Sequence, residues 1–172
     1  MKFKLFVVLI IATLALSLPS KGVYAQSYNN AISANPIGLA FGMLNATYES
    51  RLSAVNTFTI SGYYWKIVDW TAFGFGGSYR WYLKLLQDNK KPIEGLSAGP
   101  ALAIGFWKWD GPYGSTLDGG TSIAIGGEVA YKWVFDGFVV EPIITIMFNA
   151  ASITGLTYDP FRGGVNLGYA WN

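Results

Sequence analysis

The charged residues of this chain are few, and some of them lie among small residues in alternating stretches. Six share a face with Gly, Ala, Ser and Thr: Glu49, Arg51, Arg80, Glu128, Lys132 and Glu141. Carboxylates and cations in equal number can neutralise one another, whereas buried charges without partners are very costly. We therefore predict that these six side chains form a charge network inside the fold.

Catalysis is not favoured by the same residues. The chain contains no histidine and no cysteine, so it lacks the usual base of Ser-His catalysis, imidazole metal ligands and thiolate chemistry. Glu128 and Glu141 could form an acid–base pair, but neutralisation by Arg80 and Lys132 explains both. Three acidic residues in connecting segments are interpreted as solvated rather than as a Ca²⁺ or partner site: Asp110, Asp118 and Asp159. We predict a protein that is not an enzyme and has no cofactor or metal.

The stretch from Thr121 to Phe148 shows which elements position the charges. Apolar residues alternate along it with small or charged residues, and a period of two is typical of a β-strand. Asp136-Gly137 interrupts the alternation and favours a two-residue hairpin, because a type I′ turn needs positive φ at both residues. The stretch therefore predicts two antiparallel strands.

The hairpin register predicts specific neighbours. With a two-residue loop, Lys132 faces Glu141 on the inner face, while Trp133 and Val140 point outward to lipid. Pro142 cannot donate a hydrogen bond to the sheet. A bulge beside it, shifting the register by one residue, is the alternative.

Comparable alternation recurs along most of the chain. Asn35-Pro36 marks an extended or turn-like entry, and Ile37, Leu39 and Phe41 then begin an alternating stretch. The phase breaks at 42–44, which indicates a tight turn or a bulge, and we favour the turn. Continuing to the C-terminus, the pattern predicts about eight strands of about ten residues each and no helix.

The N-terminus resembles a secretory signal peptide. Lys2 and Lys4 precede the uncharged run Leu5 to Leu18, and Val23-Tyr24-Ala25 places small residues at the −3 and −1 positions of a cleavage site. A transmembrane helix would need roughly 20 apolar residues. We predict a signal peptide over residues 1–25, cleaved after Ala25, and a single barrel domain over residues 26–172.

Composition argues against a nucleic-acid partner. Cleavage would remove Lys2, Lys4 and Lys21 and leave nine basic residues against ten acidic ones, so the formal charge falls from +2 to −1. Only 13% of residues are charged while 17% are aromatic, and a water-soluble surface needs more charge. The apolar faces are therefore expected to contact lipid.

A closed sheet satisfies these constraints. In hydrocarbon every backbone donor and acceptor must be paired within the protein, so a sheet crosses a membrane only as a barrel without edges. We predict an all-β, closed, antiparallel, up-and-down transmembrane β-barrel of about eight strands, with the small-and-charged face inside. Aromatic residues are expected in two bands at the membrane interfaces: Tyr64, Trp65, Trp70, Trp107 and Trp109 at one rim, and Tyr79, Trp81, Tyr131, Trp133, Tyr169 and Trp171 at the other.

Short motifs add a family resemblance. They comprise Asn35-Pro36, Asn45, Tyr48-Glu49, Tyr79-Arg80-Trp81-Tyr82, Glu94-Gly95, Gly99-Pro100 and Ala130-Tyr131-Lys132-Trp133. In these the chain resembles small eight-stranded bacterial outer-membrane barrels of the OmpA/OmpX type, and more closely an uncharacterised family of outer-membrane barrel domains. The resemblance implies this fold and an outer-membrane location. Tyr169-Ala170-Trp171 is similar to the C-terminal signal read by the barrel-assembly machinery, although Asn172 follows it.

Three functions remain open. The first is a non-enzymatic outer-membrane barrel that acts as an envelope scaffold or presents its loops to a partner, which the sequence does not identify. The second is a narrow channel, which an interior filled by charged pairs disfavours. The third is a secreted lipocalin-like barrel whose apolar face would line a ligand cavity, and the low charge and the aromatic bands argue against it.

Overall fold

The computed structural model, which describes residues 27–67, 69–83, 93–109, 120–152 and 161–172, is a closed eight-stranded antiparallel barrel. The strands follow one another in chain order, and β1 pairs with β8 to close the sheet. Their bounds are β1 (Asn30–Ala34), β2 (Met43–Arg51), β3 (Asn56–Ile67), β4 (Trp70–Tyr82), β5 (Gly95–Trp109), β6 (Gly120–Phe135), β7 (Phe138–Ser152) and β8 (Phe161–Trp171). The predicted all-β class and strand count are confirmed, while the predicted signal peptide lies outside the described residues.

The β6–β7 turn has the predicted backbone geometry. Asp136 has a φ of 51° and Gly137 a φ of 87°, the two positive values that a type I′ turn requires. Phe135 pairs with Phe138 directly across the turn. The two-residue loop therefore sets the register of the longest hairpin.

Pro142 does not shift that register. Trp133 pairs with Val140 before it and Ala130 pairs with Ile143 after it, so the offset between the strands is the same on both sides. The irregularity between β6 and β7 lies instead between residues 123 and 124, ten residues or more from the turn. The alternative of a bulge beside Pro142 is therefore wrong.

The first hairpin differs from the predicted one. The segment Asn30–Ala34 is β1, and Pro36–Ala40 is a short helix, α1. Asn35 starts this helix: its Oδ1 accepts hydrogen bonds from the backbone N–H of Ile37 and Gly38, both at 3.0 Å, and proline suits the first helical turn. The prediction of an alternating strand here, and of no helix in the barrel domain, was wrong because capping decided the backbone.

The predicted turn at 42–44 is present. Gly42 follows α1 with a φ of 76° and leads directly into β2. Within the described ranges no helix is long and apolar enough to cross a membrane.

The two faces of the sheet differ in size and polarity. Outward positions carry exposed apolar side chains, such as Phe75 (62% exposed), Ile125 (52%) and Phe148 (63%). Inward positions carry small or charged residues, such as Ala72 and Ala124, which are 0% and 2% exposed. The faces are therefore those that the alternation predicted.

The barrel has two distinct ends. We call the end with the Asp136-Gly137 turn, the 52–55 connection and both the start of β1 and the finish of β8 the turn end. We call the opposite end, with α1 and the connection between β3 and β4, the loop end. Since all strands are antiparallel and consecutive, each runs between these two ends.

Candidate functional site

Five charged side chains meet inside the barrel towards its turn end. We call them the charge cluster: Glu49, Arg80, Glu128, Lys132 and Glu141. They come from β2, β4, β6 and β7, each from an inward position of its strand. Four of them are at most 2% exposed, and the side chain of Glu128 is 10% exposed. The cluster therefore occupies the lumen rather than its wall.

Arg80 is the centre of the charge cluster. Its Nη1 lies 2.8 Å from Glu49 Oε2 and 2.8 Å from Glu141 Oε1. Its Nε lies 2.5 Å from Glu128 Oε1. One guanidinium thus joins carboxylates from three other strands, using the rigid fork of donors that distinguishes arginine from lysine.

Lys132 supplies the second cation. Its Nζ donates to Glu49 Oε2 and lies 3.1 Å from Glu141 Oε1. Lys132 and Glu141 are 1% and 0% exposed, so they face each other on the inner face as the hairpin register predicted. Trp133 and Val140, the next pair in the register, lie on the outer face.

Neutral donors complete the coordination of the carboxylates. Thr57 Oγ1 and Tyr82 OH donate to Glu49 Oε1 at 2.6 and 2.7 Å. Ser78 Oγ donates to Glu128 at 2.5 Å, and Asn166 Nδ2 donates to Glu141 at 3.1 Å. Desolvated charges are tolerated only with such complete pairing, and removing one partner of a buried pair typically costs about 3–5 kcal/mol.

Arg51 does not belong to the cluster. Its guanidinium donates to the Ser53 carbonyl oxygen at 2.9 Å and to Ser27 Oγ at 3.2 Å. Although Arg51 shares the inward face with Glu49, it lies at the last residue of β2, where the chain leaves the barrel. Its predicted place in the network is therefore corrected, because the strand ends before the side chain reaches the lumen.

The geometry does not favour an acid–base pair. Glu128 and Glu141 both accept from the same guanidinium, that of Arg80, so each carboxylate is held by a permanent cation. No group of three or more His, Cys, Asp or Glu side chains in the described ranges could hold a metal ion.

An apolar layer lies beyond the cluster at the turn end. It consists of Tyr28, Ala31, Ile93, Val139 and Ala170, with Val134 packed against them. Ile93 and Val139 are 0% exposed, and the Ala170 N–H donates to the Gly137 carbonyl at 2.7 Å. The turn end is therefore closed by paired charges and then by packed hydrocarbon.

The loop end of the lumen holds a cavity instead. Its volume is about 970 Å³, and Arg80 and Glu128 form part of its lining. We call this cavity the vestibule. Its walls include aromatic, hydroxyl and amide side chains, among them Tyr63, Trp65, Trp70, Trp107, Ser61, Thr145 and Asn149.

The tryptophans of the loop-end rim do not form the predicted outward band. Trp65, Trp70 and Trp107 line the vestibule, and Trp109 shares the strand face of Trp107 with its ring 6.4 Å from that of Trp70. Of the five aromatics predicted there, Tyr64 lies on the outer face, where it is 45% exposed. The prediction failed because it used the position of these residues along the strand and ignored their face.

The aromatics of the turn-end rim do lie on the outer face. Trp81, Tyr169 and Trp171 are 45%, 56% and 37% exposed. Tyr79 packs against Trp81 at a ring distance of 5.0 Å, and Tyr131 packs against Trp133 at 4.6 Å. Among the described residues, the predicted aromatic band therefore lies on the outer face at the turn end.

The comparison with solved structures matches this fold. The chain aligns with the crystal structure of the N-terminal beta-barrel domain of Pseudomonas aeruginosa OprF, with a TM-score of 0.54 over 85% of this chain and 100% of that one. The chain resembles the OprF barrel domain. Sequence identity to the OprF domain is 14%, so the likeness concerns the fold. No protein-family model matches the chain, and the search of curated proteins found no match.

Sequence reasoning missed the neutral partners and the vestibule. Thr57, Tyr82 and Asn166 lie at inward positions of β3, β4 and β8. The alternation in the sequence therefore predicts that all three face the lumen. The vestibule had a similar signal, because Trp65 shares its face with Thr57 and Trp107 shares its face with Gly105. Assigning every residue to a face, whatever its type, would have found both groups.

Proposed function

We propose that this protein is an integral outer-membrane β-barrel that acts as a non-enzymatic envelope scaffold or presents its loops to a partner. The observation that carries the proposal is the closed lumen. Charged side chains that are at most 2% exposed fill it at the turn end, backed by an apolar layer. Within the part of the chain that the structure describes, the paired charges and the apolar layer lie across the lumen between the loop end and the turn end.

The outer surface supports the membrane location. Exposed apolar side chains cover the outward positions of the strands, and a closed sheet leaves no unpaired edge for hydrocarbon to meet. The aromatic band at the turn-end rim is proposed to lie at a membrane interface. With the N-terminus in the periplasm, the turn end lies on the periplasmic side and the loop end outside the cell.

The alternatives have less support. A lipocalin-like barrel would place the apolar face inside, whereas the large apolar residues are on the outer face. A narrow channel would need a path past Arg80 and its three carboxylates.

Cell fractionation tests the location. We expect the protein in the outer-membrane fraction, with Gln26 at its N-terminus and faster gel mobility before boiling than after. We also infer assembly by the barrel-assembly machinery through Tyr169-Ala170-Trp171, so the fast-migrating form should disappear when that machinery is depleted. A soluble periplasmic protein whose mobility boiling does not change would refute the membrane proposal.

Planar-bilayer recording tests the scaffold against the channel. We expect no discrete conductance steps from the refolded protein, because the charge cluster and the apolar layer fill the turn end. An outer-membrane porin with an open channel, in the same bilayer, serves as the positive control. Reproducible unitary steps from the purified protein would identify a channel instead.

A further inference from the structure

The vestibule is a blind cavity with a built aromatic wall. It lies towards the loop end, and Arg80 and Glu128 of the charge cluster form part of its lining. The charge cluster and the apolar layer lie beyond the vestibule towards the turn end. A cavity that is backed in this way suits retention of a ligand rather than passage.

The aromatic wall is fixed by the strand register. Trp65 of β3 and Trp107 of β5 both pair with Ala72 of the intervening β4. Since Ala72 has only a methyl group and is 0% exposed, the two indoles meet above it, with ring centroids 5.1 Å apart and planes at 70°. Trp107 Nε1 also donates to Ser122 Oγ at 3.1 Å, which fixes the orientation of its ring.

The remaining walls are rich in neutral hydrogen-bonding groups. They include the hydroxyls of Thr47, Ser61 and Thr145 and the amide of Asn149. Hydroxyl and amide groups both donate and accept hydrogen bonds. Two of the charged residues in the described lining, Arg80 and Glu128, are paired with each other, and the third, Arg162, stacks over the Tyr63 ring at 5.9 Å.

We propose that the vestibule binds a short neutral saccharide. A pyranose ring has an apolar C–H face that packs on an aromatic ring and a rim of hydroxyls that donate and accept, and the vestibule offers both kinds of surface. Its volume of about 970 Å³ is at the upper end of the range of about 300–1,000 Å³ for ligand pockets. More than one sugar ring therefore fits.

Calorimetric titration of the full refolded protein tests this proposal. The probes are maltose, cellobiose and N,N′-diacetylchitobiose, and glycerol is the negative control. Indole is tested as an alternative ligand that has an aromatic ring and no hydroxyl groups. The detergent must carry no sugar, because alkyl glucosides and maltosides would occupy the site themselves. Binding of the protein to beads that carry the same disaccharides tests whether the ligand is the exposed end of a glycan. Binding of the free disaccharides alone would identify a free solute.

Matched variants locate the binding. We expect saturable binding of at least one disaccharide, weakened about tenfold or more in Trp107→Ala and in Trp65→Ala. Trp81→Ala, which removes an outward indole at the turn-end rim, should bind like the wild type. Ser122→Ala keeps the indole and loses only its hydrogen bond, so a smaller loss is expected. Unchanged gel mobility before boiling verifies that each variant is folded.

Two results would overturn the proposal. One is the absence of saturable binding for every disaccharide, including the case in which indole binds and no sugar does. The other is equal weakening of binding in Trp81→Ala and Trp107→Ala. The conductance experiment is independent of these titrations, because a scaffold with an empty vestibule and a scaffold with a sugar-binding vestibule both lack unitary steps.

Discussion

The two ends of the lumen are built by the same strands and filled in opposite ways. At the turn end, paired charges leave four side chains at most 2% exposed. At the loop end, tryptophans and neutral polar residues surround a cavity of about 970 Å³. Charge pairing therefore fills the lumen at the turn end. Arg80 and Lys132 reach into it because carboxylates on other strands attract them. The indoles of Trp65 and Trp107 pack against each other along the wall instead.

The largest loss of stability is expected from a substitution in the charge cluster at the turn end. Arg80→Met removes the cation between three carboxylates and leaves like charges buried together, so we expect a loss of about 3–5 kcal/mol in the free energy of unfolding. Urea unfolding in lipid vesicles, followed by tryptophan fluorescence, measures it. Arg80→Lys keeps one charge without the fork and should lose less.

Arg51→Met is the matched control for Arg80. Arg51 contacts Ser53 and Ser27 at the edge of the barrel, so its loss should change the free energy of unfolding by about 0.5 kcal/mol or less. Similar losses in Arg51→Met and Arg80→Met would contradict the view that the cluster stabilises the turn end.

A smaller loss of stability is expected when one hydroxyl group is removed at the turn end. Tyr82 is 4% exposed, and its OH donates to Glu49 Oε1 at 2.7 Å. Tyr82→Phe should lower the free energy of unfolding by about 1.5–3 kcal/mol, the usual size for a hydrogen bond to a charged group. Tyr63→Phe in the vestibule is the control, with an expected change of about 0.5 kcal/mol or less. Equal losses at both tyrosines would remove the distinction between the ends.

A further loss of stability is expected when a methyl group is added where two strand backbones pack closely at the turn end. A Cβ on Gly99 of β5 would overlap the carbonyl oxygen of Tyr79. Gly99→Ala should therefore cost about 1–3 kcal/mol, the usual range for overpacking. Gly163→Ala in β8 is the control, because its added Cβ would meet Ile143 O at an ordinary 3.8 Å. If Gly99→Ala unfolds like Gly163→Ala in urea, the strands are not held closely at this level.

The alternation of apolar residues predicted most of the barrel. It failed at the first strand, where hydrogen bonds to the Asn35 side chain cap a helix instead. The type I′ turn at Asp136-Gly137 and the inward pairing of Lys132 with Glu141 followed from a period of two. The first strand did not follow from it. Asn35 caps a helix over a segment whose apolar residues alternate, and Asn30–Ala34 is β1 because it pairs with β2 and β8. Pairing to strands distant in sequence is invisible in a five-residue pattern.

The face that each residue of the regular strands takes follows from the amino-acid sequence, because side chains on a strand alternate strictly. This alternation puts Glu49, Arg80, Glu128, Lys132 and Glu141 inside a closed sheet. Which of them meet depends on the fold, since Arg80 contacts carboxylates 31, 48 and 61 residues away in the chain. Arg51 is outside the cluster because β2 ends there, and Trp65 and Trp107 meet because neighbouring strands align both with Ala72.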